Sequence, residues 1–370
     1  MIKLRYIKRT AIVASLMLSF IAGLSGCGIG DSAGGGETLD TFDLVVETVN
    51  DEISKGTDGK IVMTVTDEIS DDDLKNINHS IDTMQGNVTS ITTYNKANSG
   101  KRKIELDFER SDAMYVYDHI IDGKEIPEDK DKAIELEKAC KAVLKKTVKN
   151  GMTDYEKELA IHDYIVNNCI YSKSDKGDDT EYMAYGVLIN KKAVCSGYAA
   201  AMNLLLKCSG VECQIVSGKA YAVGHSNGEM ENHAWNQVKL NGEWYNVDAT
   251  WDDPVGDEDT LSHEFFNVTD DILRKTHIWD EAKYEKCNKM TFNYFQHKGA
   301  LFSDKTSLET YLKSQIMSGN KTVDCALVNL SLVEEDLAFL FQVKGVENVG
   351  YSMTDMPEYQ ILVVYINRTK

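Results

Sequence analysis

The stretch His233-Ala234-Trp235-Asn236-Gln237-Val238-Lys239-Leu240-Asn241-Gly242-Glu243-Trp244-Tyr245-Asn246-Val247-Asp248 reads as a β-hairpin. Asn241-Gly242 tolerates positive φ at both central turn positions, which makes it the strongest short hairpin signal. The flanking runs 234–240 and 244–248 supply the strands. A hairpin closed there lays Asp248 across from His233, within hydrogen-bonding reach. An imidazole beside a carboxylate is two-thirds of a nucleophile–base–orienter relay.

The third part stands upstream. In Ala193-Val194-Cys195-Ser196-Gly197-Tyr198-Ala199-Ala200 and the residues that follow, Tyr198, Met202, Leu205 and Leu206 recur at helical spacing and Gly210 supplies a stop. The spacing predicts a helix from Cys195 to Lys207, with Cys195 in the first turn. Unpaired backbone N–H groups and the helix dipole there favour a thiolate. The same groups suit an oxyanion, the backbone N–H of Cys195 first among them. Ser196 and Gly197 are small enough to admit a substrate carbonyl. Tyr185, Ser196 and Trp235 are candidate oxyanion or substrate contacts, although Tyr185 reads at least equally as a core tyrosine and Trp235, like Trp244 and Trp251, most simply as a core residue packing the hairpin. His225, in Gly224-His225-Ser226-Asn227-Gly228, is the rival base, expected on an exposed loop. Asp252 and Asp253 rival Asp248 but precede Pro254 and read as turn formers.

In order and wording, these motifs closely resemble the bacterial transglutaminase-like core, a papain-like superfamily. The resemblance runs through Ala184-Tyr185-Gly186-Val187-Leu188, the Cys195 segment, His233-Ala234-Trp235-Asn236 and Trp244 to Pro254. It extends from about Asp154, with the leading Asp154-Tyr155-Glu156-Lys157, to about Asn288, taking in Phe265-Phe266-Asn267-Val268-Thr269-Asp270 and His277. It implies an α+β fold in which a helix carrying Cys195 packs on an antiparallel sheet carrying His233 and Asp248. It also implies thiol-mediated acyl transfer by a Cys-His-Asp triad without a cofactor. The expected outcome is peptide hydrolysis, ahead of protein-glutamine cross-linking. A catalytically silent adhesion or scaffold protein is the alternative from a different class. Some animal relatives depend on calcium, but no dedicated acidic loop here compels it.

The N-terminus predicts where this chemistry occurs. Lys3, Arg5, Lys8 and Arg9 precede an apolar run from Ala11 to Leu24, and Leu24-Ser25-Gly26-Cys27 reads as a lipobox. Residues 1–26 are thus expected to be a lipoprotein signal peptide, with Cys27 lipidated and residues 27–40 a flexible tether. The body is expected on the extracytoplasmic face of a bacterial cell membrane, attached through its lipid anchor and facing protein or peptide substrates, cell-envelope ones among them.

A net charge of −19 argues against a nucleic-acid partner. Beyond Cys27 and Cys195, six cysteines remain: Cys140, Cys169, Cys208, Cys213, Cys287 and Cys325. Cys208 and Cys213 flank a short turn and could pair; equally, all six suit reduced packing positions. No Cys-x-x-Cys and no close His pair marks a zinc site.

The flanks resemble each other. Residues 42–109 read helix, strand (60–65), helix (72–84), strand (88–94), strand (103–108). Residues 306–366 read helix (308–316), strand (322–328), helix (334–343), strand (346–352), strand (359–365). Ser70 and Ser331 each precede the second helix as candidate caps. The chain thus divides into an N-terminal α/β module (41–128), a catalytic domain (129–290) and a C-terminal α/β module (291–370). Tyr115-Val116-Tyr117-Asp118 suits an edge strand or a binding face. A helix from Lys130 to Lys149 leads into the core, and Asp154 is expected to cap the next helix, which runs to about Asn167.

Overall fold

The computed structural model describes residues 38–370 apart from 56, 76, 80, 82–85, 96–98, 174–177, 222–229, 254–260, 357–358 and 369–370. The expected signal peptide, Cys27, most of the expected tether, His225 and Pro254 lie outside the described residues.

Alternating apolar residues build the first module. Its elements are β1 (Thr38–Leu39), α1 (Phe42–Ser54), β2 (Gly59–Thr66), α2 (Asp71–Lys75), β3 (Gly86–Asn95) and β4 (Lys101–Arg110). Ile61, Met63 and Val65 of β2 and Ile104, Leu106 and Phe108 of β4 point to one face. Val45, Val49 and Ile53, one turn apart on α1, complete that core. The sheet order is β1-β2-β4-β3, with β1 parallel to β2 and the other pairs antiparallel. The Ser70 Oγ caps α2 by accepting the N–H of Asp73 at 3.0 Å. The expected helix to residue 84 is cut short at Lys75 and followed by a 3₁₀ turn at Ile77–His79. The Asn78 side chain explains the stop: it exchanges two 2.8 Å hydrogen bonds with the backbone of Val88, imitating a strand partner for β3.

The central layer comprises α3 (Asp112–Asp122), α4 (Asp131–Thr147), α5 (Asp154–Asn168), β5 (Ile170–Tyr171), β6 (Lys192–Ala193), α6 (Cys195–Cys208), β7 (Cys213–Tyr221), β8 (Met230–Leu240), β9 (Glu243–Val247), α7 (Asp270–Leu273), β10 (His277–Trp279) and α8 (Tyr294–His297). Strands β10-β7-β8-β9 form an antiparallel sheet, and β5 pairs with β6 in parallel. Helix α6 lies on this sheet, tied to it where the Asn236 side chain donates to the Ala199 carbonyl at 3.0 Å.

Two expectations fail here for local reasons. Tyr115 to Asp118 is not a strand but the middle of α3. Ser111 caps that helix by accepting the Met114 N–H at 3.0 Å, and Gly123 ends it at φ 71°. Ala113 and Val116 bury the inner face of α3 in the same core as α6, so this helix packs with the central layer. The cap of α5 is Thr153 rather than Asp154. Thr153 Oγ1 accepts the Glu156 N–H at 3.2 Å, and Glu156 accepts the Thr153 N–H at 2.7 Å, a reciprocal capping box.

The last module consists of β11 (Leu301–Phe302), α9 (Lys305–Met317), β12 (Thr322–Leu327), a 3₁₀ helix at Glu334–Gln342, β13 (Val346–Asp355) and β14 (Gln360–Arg368). Its order, β11-β12-β14-β13, and its strand senses repeat those of the first module. Even the register shift near the start of the outer strand recurs, between Val88 and Ser90 in β3 and between Val346 and Asn348 in β13. Ser331 is not a cap: the backbone N–H of Val333 donates to Asp336 at 2.9 Å, and that carboxylate also holds Lys305 at 2.6 Å. All seven described cysteines are free thiols. The thiol near Cys208 is Cys140 on α4, not Cys213, whose sulfur accepts from the Asn236 amide at 3.6 Å.

Candidate active site

The Asn241-Gly242 turn forms as its residue types require, with φ of 50° and 88°. Strand alternation then puts His233 and Trp235 on one face of β8, their rings stacked at 6.0 Å. The register pairs Asn236 with Val247, so the next position sets Asp248 opposite Trp235 and diagonal to His233, two residues from the directly opposed place expected. The diagonal reach suffices: His233 Nε2 lies 2.7 Å from Asp248 Oδ2. With Nε2 engaged, Nδ1 is the ring nitrogen left for the Cys195 thiol, which is hydrogen-bonded to His233.

Asp248 is buried at 1 % exposure, yet all of its lone pairs are used. Oδ1 accepts the N–H groups of Thr250 at 3.0 Å and Trp251 at 3.2 Å. Oδ2 accepts from His233 and also from Nε2 of His277 at 3.0 Å. Burial alone would push this carboxyl up. The His233 charge and the two histidine hydrogen bonds outweigh burial and hold it below the usual carboxylate range. The same balance seen from His233 runs the other way. Burial would push its pKa down, but the adjacent Asp248 charge, its hydrogen bond and Cys195 raise it to about 10. His277, fully buried, is held below the usual histidine value by burial and by the neighbouring His233 charge. It therefore serves Asp248 as a neutral N–H donor, its Nδ1 lying 2.8 Å from Thr276 Oγ1.

Cys195 opens α6, as its sequence predicts, and its backbone N–H has no carbonyl four residues back to bond. The room expected beside Gly197 is already filled. A Cβ on Gly197 would stand 2.4 Å from the Glu181 carbonyl oxygen and 2.8 Å from the Ala193 Cβ. The glycine thus lets the helix start press against the 3₁₀ turn Asp179–Tyr182, whose Glu181 carbonyl also accepts the Val194 N–H at 3.0 Å. Gly197→Ala should destabilise the protein by about 1–3 kcal/mol or more through overpacking. Ser196→Ala should be nearly neutral, since the Ser196 Oγ is buried without a partner. Urea midpoints of the two variants check the contrast.

The remaining candidates are dispersed. Tyr185 donates its hydroxyl to Glu135 at 2.5 Å, which directs that proton away from an oxyanion. With Ser196, it lines a cavity of about 740 Å³ that also touches Arg110, Asp112, Lys130 and Tyr182. Trp235 is a core residue whose indole N–H donates to Asn246 at 3.3 Å. Asp252 is no mere turn former: it is fully buried and accepts from the Phe265 N–H at 2.8 Å, while its other oxygen lies 3.1 Å from His162 Nε2. Asp253 accepts the Tyr198 hydroxyl at 2.5 Å. His277 is the partner that sequence reasoning missed. It lies on β10, paired to β7 rather than to the hairpin, and no local motif links it to Asp248.

Among the described residues, two clusters could hold a cation: His233, Asp248 and His277, and a second made by His162, Asp163 and His263. In the first, the hydrogen bonds just described already use the carboxylate fully.

Residues 141–249 match the model of the transglutaminase-like superfamily. The chain carries a transglutaminase-like domain. Cys195, His233 and Asp248 all lie inside the matched range, and His277 lies beyond it. The human protein "Kyphoscoliosis peptidase" is 30 % identical over 216 residues, covering 54 % of this chain and 32 % of that protein. The mouse protein of the same name is 26 % identical over 215 residues with the same coverage. The chain thus spans about a third of the length of these curated relatives. A solved structure described as a TGase aligns at 13 % identity with a TM-score of 0.28, covering 53 % of this chain and 52 % of that one. The fold around the transglutaminase-like domain is mixed α+β, with α6 laid on the antiparallel sheet.

Proposed function

We propose that this protein is a thiol-dependent peptidase, held on the extracytoplasmic face of the membrane by a lipid on Cys27. The observation that carries the chemistry is one imidazole, His233, bonded through Nε2 to a buried carboxylate and hydrogen-bonded to the Cys195 thiol. The sulfur, with its proton removed, attacks the carbonyl carbon of a peptide bond. The C–S bond forms, and the oxyanion turns to the backbone N–H of Cys195. His233, whose raised pKa keeps a proton available through neutral pH, protonates the amide nitrogen as the C–N bond breaks and the amine leaves. Water then attacks the thioester, giving its proton to the now neutral His233. The carboxylic acid departs and the sulfur returns. Asp248 fixes the ring and balances its charge throughout.

Hydrolysis is favoured over cross-linking because the human and mouse relatives are named peptidases and water is the acceptor at hand. The basic N-terminal residues, the apolar run and the lipobox support the anchored location, with cell-envelope peptides as substrates.

The test is acid-quenched mass spectrometry of the full chain incubated with a peptide mixture. An acyl adduct on the Cys195 peptide, together with free-acid products, supports the reading. Amine-linked products instead would move the assignment to transglutaminase action, and absence of both adduct and cleavage would leave a silent scaffold.

His277→Leu, which removes the donor, tests the second histidine. Losing a hydrogen bond to a charged carboxylate is worth about 1.5–3 kcal/mol, so kcat should fall roughly tenfold or more while KM holds. The alkaline edge of the kcat–pH profile should also shift, since His277 helps set the field at Asp248. An unchanged profile would remove His277 from the relay.

A further inference from the structure

We propose that His162, Asp163 and His263 form a binding site for one divalent transition-metal ion of the zinc class, separate from the thiol centre. His162 Nδ1 lies 3.1 Å and His263 Nε2 2.9 Å from the same atom, Asp163 Oδ1. The three atoms fall within 4.8 Å of one another. Ligands about 2.0–2.1 Å from a tetrahedral zinc stand roughly 3.3 Å apart, so these two separations need only small adjustment.

The second sphere of His162 is already built. Asp252 Oδ2 sits 3.1 Å from His162 Nε2, the carboxylate–histidine arrangement that turns the opposite ring nitrogen toward a metal. When the Nε2 proton faces Asp252, the Nδ1 lone pair faces the Asp163 oxygen. Two acceptors then point at each other, and a cation between them removes the conflict. Both rings are held rigidly. Phe266 meets His162 edge-on at 4.9 Å, and Tyr294 stacks on His263 at 3.7 Å with the planes 1° apart. Among the described residues, the ion pairs of Asp163 and Asp252 are all with histidine, so neutral imidazoles leave two negative charges that a dication cancels. His162 and His263 are buried, whereas the Asp163 side chain is 34 % exposed and gives the ion its way in and a place for a water ligand. Bound there, the ion ties α5 to the segment after Asp248.

Sequence spacing could not reveal this group, because His263 follows Asp163 by 100 residues. The test uses crystals of the unmodified full chain exposed to zinc chloride, with anomalous diffraction at the zinc edge. The expected result is a peak about 2 Å from the three ligand atoms. In solution, cobalt(II) titration should give visible d–d bands at one equivalent. Asp163→Asn and His263→Gln should each weaken binding tenfold or more, and His233→Gln should leave it intact. No anomalous peak, a peak only beside Cys195 and His233, or cobalt affinity unaltered in Asp163→Asn would overturn the proposal. It would leave a second proton on His162 to do the ion's work. The wild-type crystal experiment stands even if a variant fails to fold.

Discussion

Cys195→Ala should lower kcat for peptide cleavage on the order of 10⁴-fold or more while leaving the fold nearly as stable as before. Members of a nucleophile–base–orienter relay act as a unit, so removing the attacking atom forfeits almost all of the rate that the relay supplies. The site predicts the stability half of the result separately. Cys195 is only partly buried, at the first turn of α6, and its side chain caps nothing. Truncation there leaves no large cavity and strands no backbone group. Circular dichroism and urea midpoints should superimpose on the parent, while product analysis by mass spectrometry shows no cleavage. Turnover within tenfold of the parent would place the nucleophile elsewhere and dismantle the proposed reaction.

Asp248→Ala should be the most damaging single change to stability. One buried carboxylate serves four donors: two histidines and the N–H groups of Thr250 and Trp251. Removing one partner of a buried charged pair costs about 3–5 kcal/mol, because the remaining donors stay buried without acceptors. Linkage gives this prediction a pH signature. His233 is raised in the folded chain to about 10 from an ordinary value near 6.5, so its share of stability is complete below about 6.5 and is lost as pH rises through about 10. Asp248 is depressed, so its share is complete above an ordinary carboxyl value of about 3.9 and is lost as pH falls below it. The parent should therefore be most stable, as far as this pair contributes, between about pH 4 and 6.5. Asp248→Ala should flatten both edges. Denaturant midpoints at pH 3, 5.5, 8 and 10 measure this, and parallel curves for parent and variant would show that the pair does not set them.

The strongest local patterns were legible in the sequence. Asn241-Gly242 announces its turn because few residue pairs accept positive φ twice, and the helix from Cys195 follows from apolar spacing bounded by Gly210. Those two elements bring His233, Asp248 and Cys195 together. Apart from α3, whose Ser111 cap and Gly123 stop are local, the failures involve partners distant in sequence or competing side-chain bonds. Asn78 stops a helix by pairing with Val88, Thr153 outcompetes Asp154 for a cap, and Asp336 reverses the cap assigned to Ser331. His277 and Asp252 acquire their roles only when β10 and the turn after β9 fold back onto buried neighbours. Gly197 looked like space for substrate because a sequence does not show what stands opposite a missing side chain.

The twin outer sheets carry a consequence for how copies of this protein behave when crowded. In each, one margin is a strand of only two residues, β1 or β11, and the other margin, β3 or β13, is thrown out of register near its start. A neighbour seeking to extend either sheet along that outer strand meets a kinked, mismatched ladder. The same bulge, present in both outer sheets, works against edge-to-edge pairing of crowded copies.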